Sequence, residues 1–398
     1  MEKRFESLLS NFHARFPSSE GVRFFSAPGR TEIIGNHTDH NGGRILAAAI
    51  TMETICAAAP SGDNTLTLIS EGHSKSVIIP LSDLQSVPKE QGSLSLVAGM
   101  IDGAIRDGWQ VGGLNIYVSS TVIPSAGVSS SASFEMMFMS VLNHFFHDGK
   151  ADLATCARIG QYAENVFWNK ASGLMDQMAC GHGGTILLDF ADGASCTPVD
   201  FDYERLGYDL VIVNTGKGHA DLSAAYSSIP GEMRLVAAAF GKKNLCEISR
   251  DDFYDRLPKL RQEIGNDRAI LRAIHYYEEC ARVDAAAAAV KEERFDEVLR
   301  LIEESGHSSW EILQNCVVEG LPEEQPIPAA LALTRLFLEK HHCGVTRIHG
   351  GGFAGVIMTV VKKEFSDAYL DYMTPFFGAE NIYRTAINPS GAGERCVR

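Results

Sequence analysis

Pro28-Gly29-Arg30-Thr31-Glu32-Ile33-Ile34-Gly35-Asn36-His37-Thr38-Asp39-His40-Asn41-Gly42-Gly43 is the most chemically loaded stretch of this 398-residue chain. Its sixteen residues hold four Gly, two His, two Asn, one Arg and one Asp, too many directional polar groups for a routine connection. Carboxylate, imidazole and amide groups grip vicinal hydroxyls, and glycines let the backbone approach closely, so the segment resembles a polyol-binding loop. The plainer alternative is an Asx- and Gly-rich turn with surface histidines. A zinc site on His37, Asp39 and His40 is disfavoured, because the adjacent Asp-His pair lacks helical or C-x-x-C spacing.

The rest of the composition bounds what such a loop can serve. Lys and Arg number 35 against 50 Asp and Glu, a formal net charge of −15, with 45% hydrophobic and 21% charged residues. That is a globular balance, which excludes disorder and collagen. An acidic chain without a Lys/Arg-rich run has no footprint for nucleic acid or an anionic membrane, and a small ligand is left as the partner. The charged start Met-Glu-Lys-Arg-Phe-Glu and the lack of any run of about 18 apolar residues point to the cytoplasm. The nine cysteines are scattered without a C-x-x-C pair and read as reduced thiols.

Periodicity supplies the element order. Val22–Ala27, Ile45–Ala59, Thr65–Ile79 with a turn at Glu71-Gly72-His73, and Gly113–Ser119 read as strands. Leu94–Asp107, Ser133–Phe146 and Asp152–Asn169 read as helices. Thr185–Phe190 and Tyr208–Asn214 are short strands, and the turn-rich Ala191–Tyr203 between them places a boundary near residue 200. Helical patterns over Ala269–Val290, Phe295–Asn315 and Pro328–His341 are followed by strands Gly344–His349 and Val356–Val361. The order is α+β rather than regular βαβ winding, with units 1–200 and 201–398.

Three further motifs carry chemistry. Pro124-Ser125-Ala126-Gly127-Val128-Ser129-Ser130-Ser131-Ala132-Ser133 lies between a strand and a helix, where free N–H groups and the helix dipole cradle an anion and hydroxyls can ligate Mg²⁺. Simple N-capping would need one serine, and no G-x-x-x-x-G-K-[ST] sequence exists for a Walker loop. Gly350-Gly351-Gly352-Phe353-Ala354-Gly355 formally fits G-x-G-x-x-G, but the strand-like Val356–Val361 after it excludes the dinucleotide reading and leaves a tight turn between strands. Glu164 and Gly173-Leu174-Met175-Asp176-Gln177 bring two carboxylates that phosphoryl transfer can use, one near a divalent ion and one orienting a hydroxyl.

Together these motifs resemble the galactokinase branch of the GHMP small-molecule kinases, in order and along most of the chain. The first is similar to the sugar signature G-R-x-N-x-I-G-E-H-x-D-Y-x-G-G, and Gly127–Ser133 to the ATP motif G-L-S-S-S-A-S. Glu164 precedes Asp176 by twelve residues, and Asn214 precedes Tyr226 by twelve, as in that family. The resemblance implies a two-lobed GHMP kinase fold with the active site between the lobes, the second lobe ferredoxin-like and carrying the triple-glycine motif. It implies transfer of the ATP γ-phosphoryl group to the anomeric hydroxyl of a sugar. Asp176 would be the base or anionic orienter and Arg30 its partner. Ser131 and Glu164 would hold Mg²⁺, and the backbone of Gly127, Val128, Ser129, Ser130 and Ser131 would lie on the phosphates. His37, Asp39, Gly173, Tyr226 and the residue at Asn36 would contact the sugar.

Two departures from the signature matter. Asn36 stands where the family has Glu, which holds the O6 hydroxyl, and His40 where it has Tyr. A neutral amide removes a negative charge from the C6 end, so a C6 carboxylate, as in galacturonate, is an alternative to galactose. The aromatic residue usual near the nucleotide base is also missing from Ser95-Leu96-Val97-Ala98-Gly99. A non-catalytic sugar sensor on the same fold is disfavoured by the intact serines with Arg30, Glu164 and Asp176, and the decarboxylating lyase branch by His37 and Asp39.

Overall fold

The structure, a computed structural model, describes residues 2–124, 126–170, 172–191, 193–216, 223–318, 320–353 and 355–396. Ser125 and Ala354, each a member of a motif above, lie outside the described residues. The strands are β1 (Arg23–Ile34), β2 (Arg44–Pro60), β3 (Thr65–Ser70), β4 (Val77–Pro80), β5 (Leu114–Ser120), β6 (Thr185–Asp189), β7 (Ser195–Val199), β8 (Tyr208–Asn214), β9 (Gly344–His349), β10 (Val356–Lys362), β11 (Ile382–Thr385) and β12 (Gly393–Arg395). The helices are α1 (Glu2–Arg15), α2 (Ser93–Arg106), α3 (Ser130–Phe146), α4 (Leu153–Val166), α5 (Met175–His182), α6 (Ser223–Ala239), α7 (Arg250–Ile264), α8 (Asp267–Lys291), α9 (Phe295–Ser308), α10 (Pro326–His341) and α11 (Lys363–Phe377). None of the described helices is long and apolar enough to cross a membrane.

Two sheets organise the chain. The first runs β12-β1-β2-β5-β3-β4, with β6 on β2 and β7 on β6; the second runs β11-β8-β10-β9 and is antiparallel throughout. Strands before residue 200 belong to the first sheet and β8 to β11 to the second, while β12 returns to pair with β1. We propose the lobe boundary near residue 200 on that division, with the last strand given back to the first lobe. Helices α2 and α3 bury their apolar faces on the first sheet through Ile101, Met137, Phe138 and Leu142, and α4 packs against α2 through Ile159 and Ala163. A second core runs between the lobes, where Ile33, Leu46 and Ile50 meet Leu210, Val283 and Val356. That apolar seam fixes the sheets against each other, and so fixes what lies at their junction.

Several elements differ from their expected bounds for identifiable reasons. The sequence reads a strand only to Ala27, yet β1 continues through Pro28–Ile34, because pairing with β2 carries it past irregularities between Pro28 and Arg30 and between Glu32 and Ile34. Within the turn-rich Ala191–Tyr203 lies β7, an exposed edge strand whose Pro198 disguises it. The helical run from Phe295 ends as α9, followed by a π turn over Ser309–Leu313. The glycine-rich segment connects β9 to β10 as a hairpin, as expected.

Candidate active site

Strand pleating sets the first half of the site. Side chains alternate along β1, so Arg30 and Glu32 share one face while Thr31 turns the other way, its Oγ1 2.9 Å from His349 Nε2. After Ile34 the chain turns through Gly35–Gly43. Glu279 of α8 accepts the Gly35 and Asn36 N–H groups at 3.0 and 3.2 Å, and His275 Nε2 donates to the Asn36 carbonyl at 2.9 Å. Burial pushes the Glu279 carboxyl up, but Arg282, His275, Arg347 and the Ser305 hydroxyl together outweigh it and bring the group down to about 2, so this brace is a fixed anion.

The serine loop is tied to the same strand. Arg30 N donates to the Val128 carbonyl at 3.1 Å, and Arg30 Nη1 donates to the Gly127 carbonyl. Gly127 and Ser129 adopt positive φ of 64° and 58°, turning the chain onto the N-terminus of α3. A left-handed serine costs on the order of 1 kcal/mol or more, the kind of strain that functional loops hold. The unpaired amides of that helix start and its dipole favour an anion such as phosphate.

Between the loop and the strand stands Asp176, in the first turn of α5. Arg30 donates to its Oδ1 from Nε at 2.8 Å and from Nη2 at 2.7 Å, and Ser129 Oγ donates to its Oδ2. Burial pushes the Asp176 carboxyl up, but Arg30, with Lys170 and the Ser129 hydroxyl, outweighs it and holds the group below the usual carboxylate range. Burial likewise pulls Arg30 down, and Asp176 more than restores it. Both charges therefore persist at neutral pH.

Beside this pair, Ser131 Oγ donates to Glu164 Oε1 at 2.9 Å, and the Glu164 side chain is buried. Lys170 Nζ sits 2.5 Å from the same carboxylate oxygen and 3.3 Å from Ser131 Oγ. The two oxygens already hold a cation, the lysine ammonium, so the donor set fits Mg²⁺ with phosphates and water completing its shell. Among the described residues no cluster of three or more His, Cys, Asp or Glu is placed to hold a metal ion.

On the other side of Asp176 opens a cavity of about 550 Å³, walled by Arg30, Glu32, His37, Asp39 and Tyr226. Gly173 leaves room for Asp39 there: a Cβ would meet Asp39 Oδ2, so any larger residue would displace that carboxylate. Gly351 likewise leaves room, since a Cβ would strike the Tyr226 ring. Burial, with a smaller contribution from His40, lowers His37 to about 3, so its ring is neutral. Its Nε2 lies 2.8 Å from the Gly351 carbonyl, which only accepts. The proton is therefore on Nε2, and Nδ1 is an acceptor. The Asp39 carboxylate receives no hydrogen bond from the described residues, its nearest partner being His40 Nε2 at 3.7 Å.

Arg30, Asn36, His37, Asp39, Gly173, Asp176 and Tyr226 thus meet around one cavity, with Ser131 and Glu164 paired nearby. The Val128 side chain is buried in the seam between the lobes and the Ser129 hydroxyl is committed to Asp176, so each offers the loop its backbone. Asn36 departs from the sequence reading. Asn36 is saturated: Nδ2 donates to Glu32 Oε1 at 3.0 Å and the Gly350 carbonyl at 2.8 Å, and Oδ1 accepts from Asn315 at 2.8 Å and Ser309 at 3.4 Å. Nor does this corner lack negative charge, because Glu32 lies beside Asn36 and lines the cavity. Glu32 and Lys170 were not anticipated. The two-residue alternation from Arg30 could have found Glu32; nothing in the sequence marks Lys170.

An anion cradle and an acceptor-lined cavity meeting at an Arg–Asp pair, on two lobes joined by an apolar seam, define a small-molecule kinase of the GHMP class. A profile of the GHMP kinases N terminal domain matches residues 95–184, and a *Methanococcus jannaschii* mevalonate kinase shares the fold, with a TM-score of 0.65 at 14% identity, covering 93% of this chain and 98% of that one. Within that class the chain belongs to the galactokinase family. It is 32% identical to the galactokinase of *Bacillus subtilis* (strain 168) over 92% of this chain and 91% of that one, and 28% identical to that of *Clostridium tetani* over 94% and 92%. The galactokinase galactose-binding signature matches residues 10–60. The *Lactococcus lactis* galactokinase solved in complex with galactose superposes with a TM-score of 0.83 at 25% identity, covering 98% of this chain and 99% of that one.

Proposed function

We propose that this chain is a phosphotransferase that moves the γ-phosphoryl group of ATP to the anomeric hydroxyl of galactose. The observation that carries it is the position of Asp176. Paired with Arg30, it separates the amide-rich start of α3 from a cavity whose free groups include the acceptors Asp39, His37 Nδ1 and one oxygen of Glu32. Such a cavity suits a ligand rich in O–H donors.

In this reading the nucleotide phosphates lie on the Gly127–Ser131 backbone, and the sugar lies against His37, Asp39, Gly173 and Tyr226. Asp176 receives the anomeric O–H and points its oxygen at the γ-phosphorus. The new O–P bond forms as the bond to the β-phosphate oxygen breaks, ADP leaves, and the hydroxyl proton passes through Asp176 to solvent. Because Arg30 holds Asp176 ionised and weakly basic, its main work is orientation, in keeping with a transition state that demands positioning and charge stabilisation. Arg30 stabilises charge on the transferred group. Ser131 and Glu164 would hold Mg²⁺, which supplies neutralisation of the phosphate oxygens when bound.

A coupled ADP-release assay with Mg·ATP over galactose, glucose, galacturonate and 6-deoxygalactose tests the proposal. Galactose should give the highest kcat/KM. Silence on every sugar would overturn the kinase reading, and a preference for galacturonate would overturn the choice of sugar.

A further inference from the structure

Glu32 is 3% exposed, yet it borders the sugar cavity. Its Oε1 accepts from Arg347 Nη2 at 2.8 Å and from Asn36 Nδ2 at 3.0 Å. Its Oε2 has no hydrogen-bond partner among the described residues, and it is not among the side-chain oxygens sealed from solvent. A carboxylate oxygen left bare in a confined site is costly unless a donor arrives with the ligand. Asn36 cannot be the group that greets that ligand, since both its N–H groups and both its oxygen lone pairs are used by protein. It braces Glu32 instead. Arg347, fully buried, braces it from the other lobe, and its Nη1 donates to the Ile33 carbonyl at 2.9 Å. The carboxylate is therefore aimed before any sugar binds.

Position along β1 tells which end of the sugar it meets. Arg30 marks the phosphoryl-transfer end through Asp176. Two residues further on the same face, at about 3.3 Å per residue, Glu32 lies ~7 Å along the strand, so it meets the sugar at the end remote from the anomeric hydroxyl. We propose that Glu32 is the specificity-determining residue for the exocyclic C6 hydroxyl, accepting its proton on Oε2, with Asn36 and Arg347 as positioning residues. This deepens the galactose-kinase reading and rests on it. A carboxylate there also repels a C6 carboxylate, which disfavours galacturonate through the charge of Glu32 despite the neutral Asn36.

The test compares kcat/KM for galactose and 6-deoxygalactose in the wild-type chain, Glu32→Gln and the charge-balanced Glu32→Gln/Arg347→Gln. The wild type should prefer galactose over 6-deoxygalactose by about 10- to 100-fold, mostly in KM, the range of a hydrogen bond to a charged acceptor. Both variants should lose that preference to within a few-fold, with the KM for ATP unchanged. The wild-type ratio needs no variant to fold, and a value near one overturns the assignment. So does an unchanged ratio in whichever variant folds. Failure of the wild type to turn over galactose at all would overturn the function reading together with this one, whereas turnover with an unaltered ratio overturns only the role of Glu32.

Discussion

Asp176→Asn keeps the shape of the side chain and removes its charge, so it isolates what the carboxylate does. Asp176 Oδ1 takes two N–H donors from Arg30, at 2.8 and 2.7 Å, and Oδ2 takes the Ser129 hydroxyl. An amide can keep this geometry, its oxygen accepting from the guanidinium and its NH₂ donating to the Ser129 oxygen, so what the variant loses is the charge. A positioned group of this kind contributes roughly 100- to 10,000-fold to turnover. At 1.36 kcal/mol per decade that is about 3 to 5 kcal/mol of barrier. The assay is steady-state ADP release for kcat, with ATP affinity measured separately by equilibrium binding. We expect kcat to fall across that range while ATP affinity stays within a few-fold, since the cradle amides of α3 are untouched. Arg30, only 6% exposed, loses its counter-charge, so the variant should also unfold at lower temperature; breaking a buried pair costs about 3 to 5 kcal/mol. Near-normal kcat in Asp176→Asn would refute the role assigned here.

Other perturbations test neighbouring parts. Gly173→Ala pushes a methyl into Asp39 Oδ2 and should raise the KM for galactose by about tenfold or more with ATP binding unaltered; an unchanged KM would remove Asp39 from the sugar contacts. Lys170→Met frees the Ser131–Glu164 pair from its ammonium, so Mn²⁺ binding measured by electron paramagnetic resonance without nucleotide should tighten by about tenfold, and weaker binding would refute the shared site. His37 falls from 6.5 to about 3 on folding, so between those pH values the unfolded chain binds the extra proton. Stability should then decline as pH drops through that window, by about 1.4 kcal/mol per unit for this group, and denaturant titrations of His37→Gln should show a shallower slope. An identical slope would place the His37 proton elsewhere.

What could be read before the fold was seen was local. The serine loop and the helix after it, the glycine hairpin between β9 and β10, and the grouping of Arg30 with His37 and Asp39 all rest on short spacing. Glu32 was hidden because Gly29, Gly35 and the Asn/Asp-rich end made the whole motif read as loop, although Pro28–Ile34 is strand. Without the strand, the alternation that puts Glu32 beside Arg30 is lost. Helices α6 and α7 were obscured by Pro230 and Pro258 within them, which read as stops. Asp176 sat in a segment that looks like a turn, yet it opens α5. The partners that matter most are far apart in sequence: Arg347 lies 315 residues from Glu32, and Asn315 lies 279 from Asn36. No period or motif encodes such a pairing; an arginine inside the apolar strand Gly344–His349 signals only that some buried anion must exist.

The central claim is that Asp176 aims the anomeric hydroxyl of galactose at the γ-phosphorus. Phosphorus and proton NMR of a reaction containing the wild-type chain, galactose and Mg·ATP reads that directly. The expected result is one ADP per sugar phosphorylated, with the new phosphate coupled to the proton on C1. A phosphate on C6, or ADP formed without any sugar phosphate, would contradict the geometry proposed for the site.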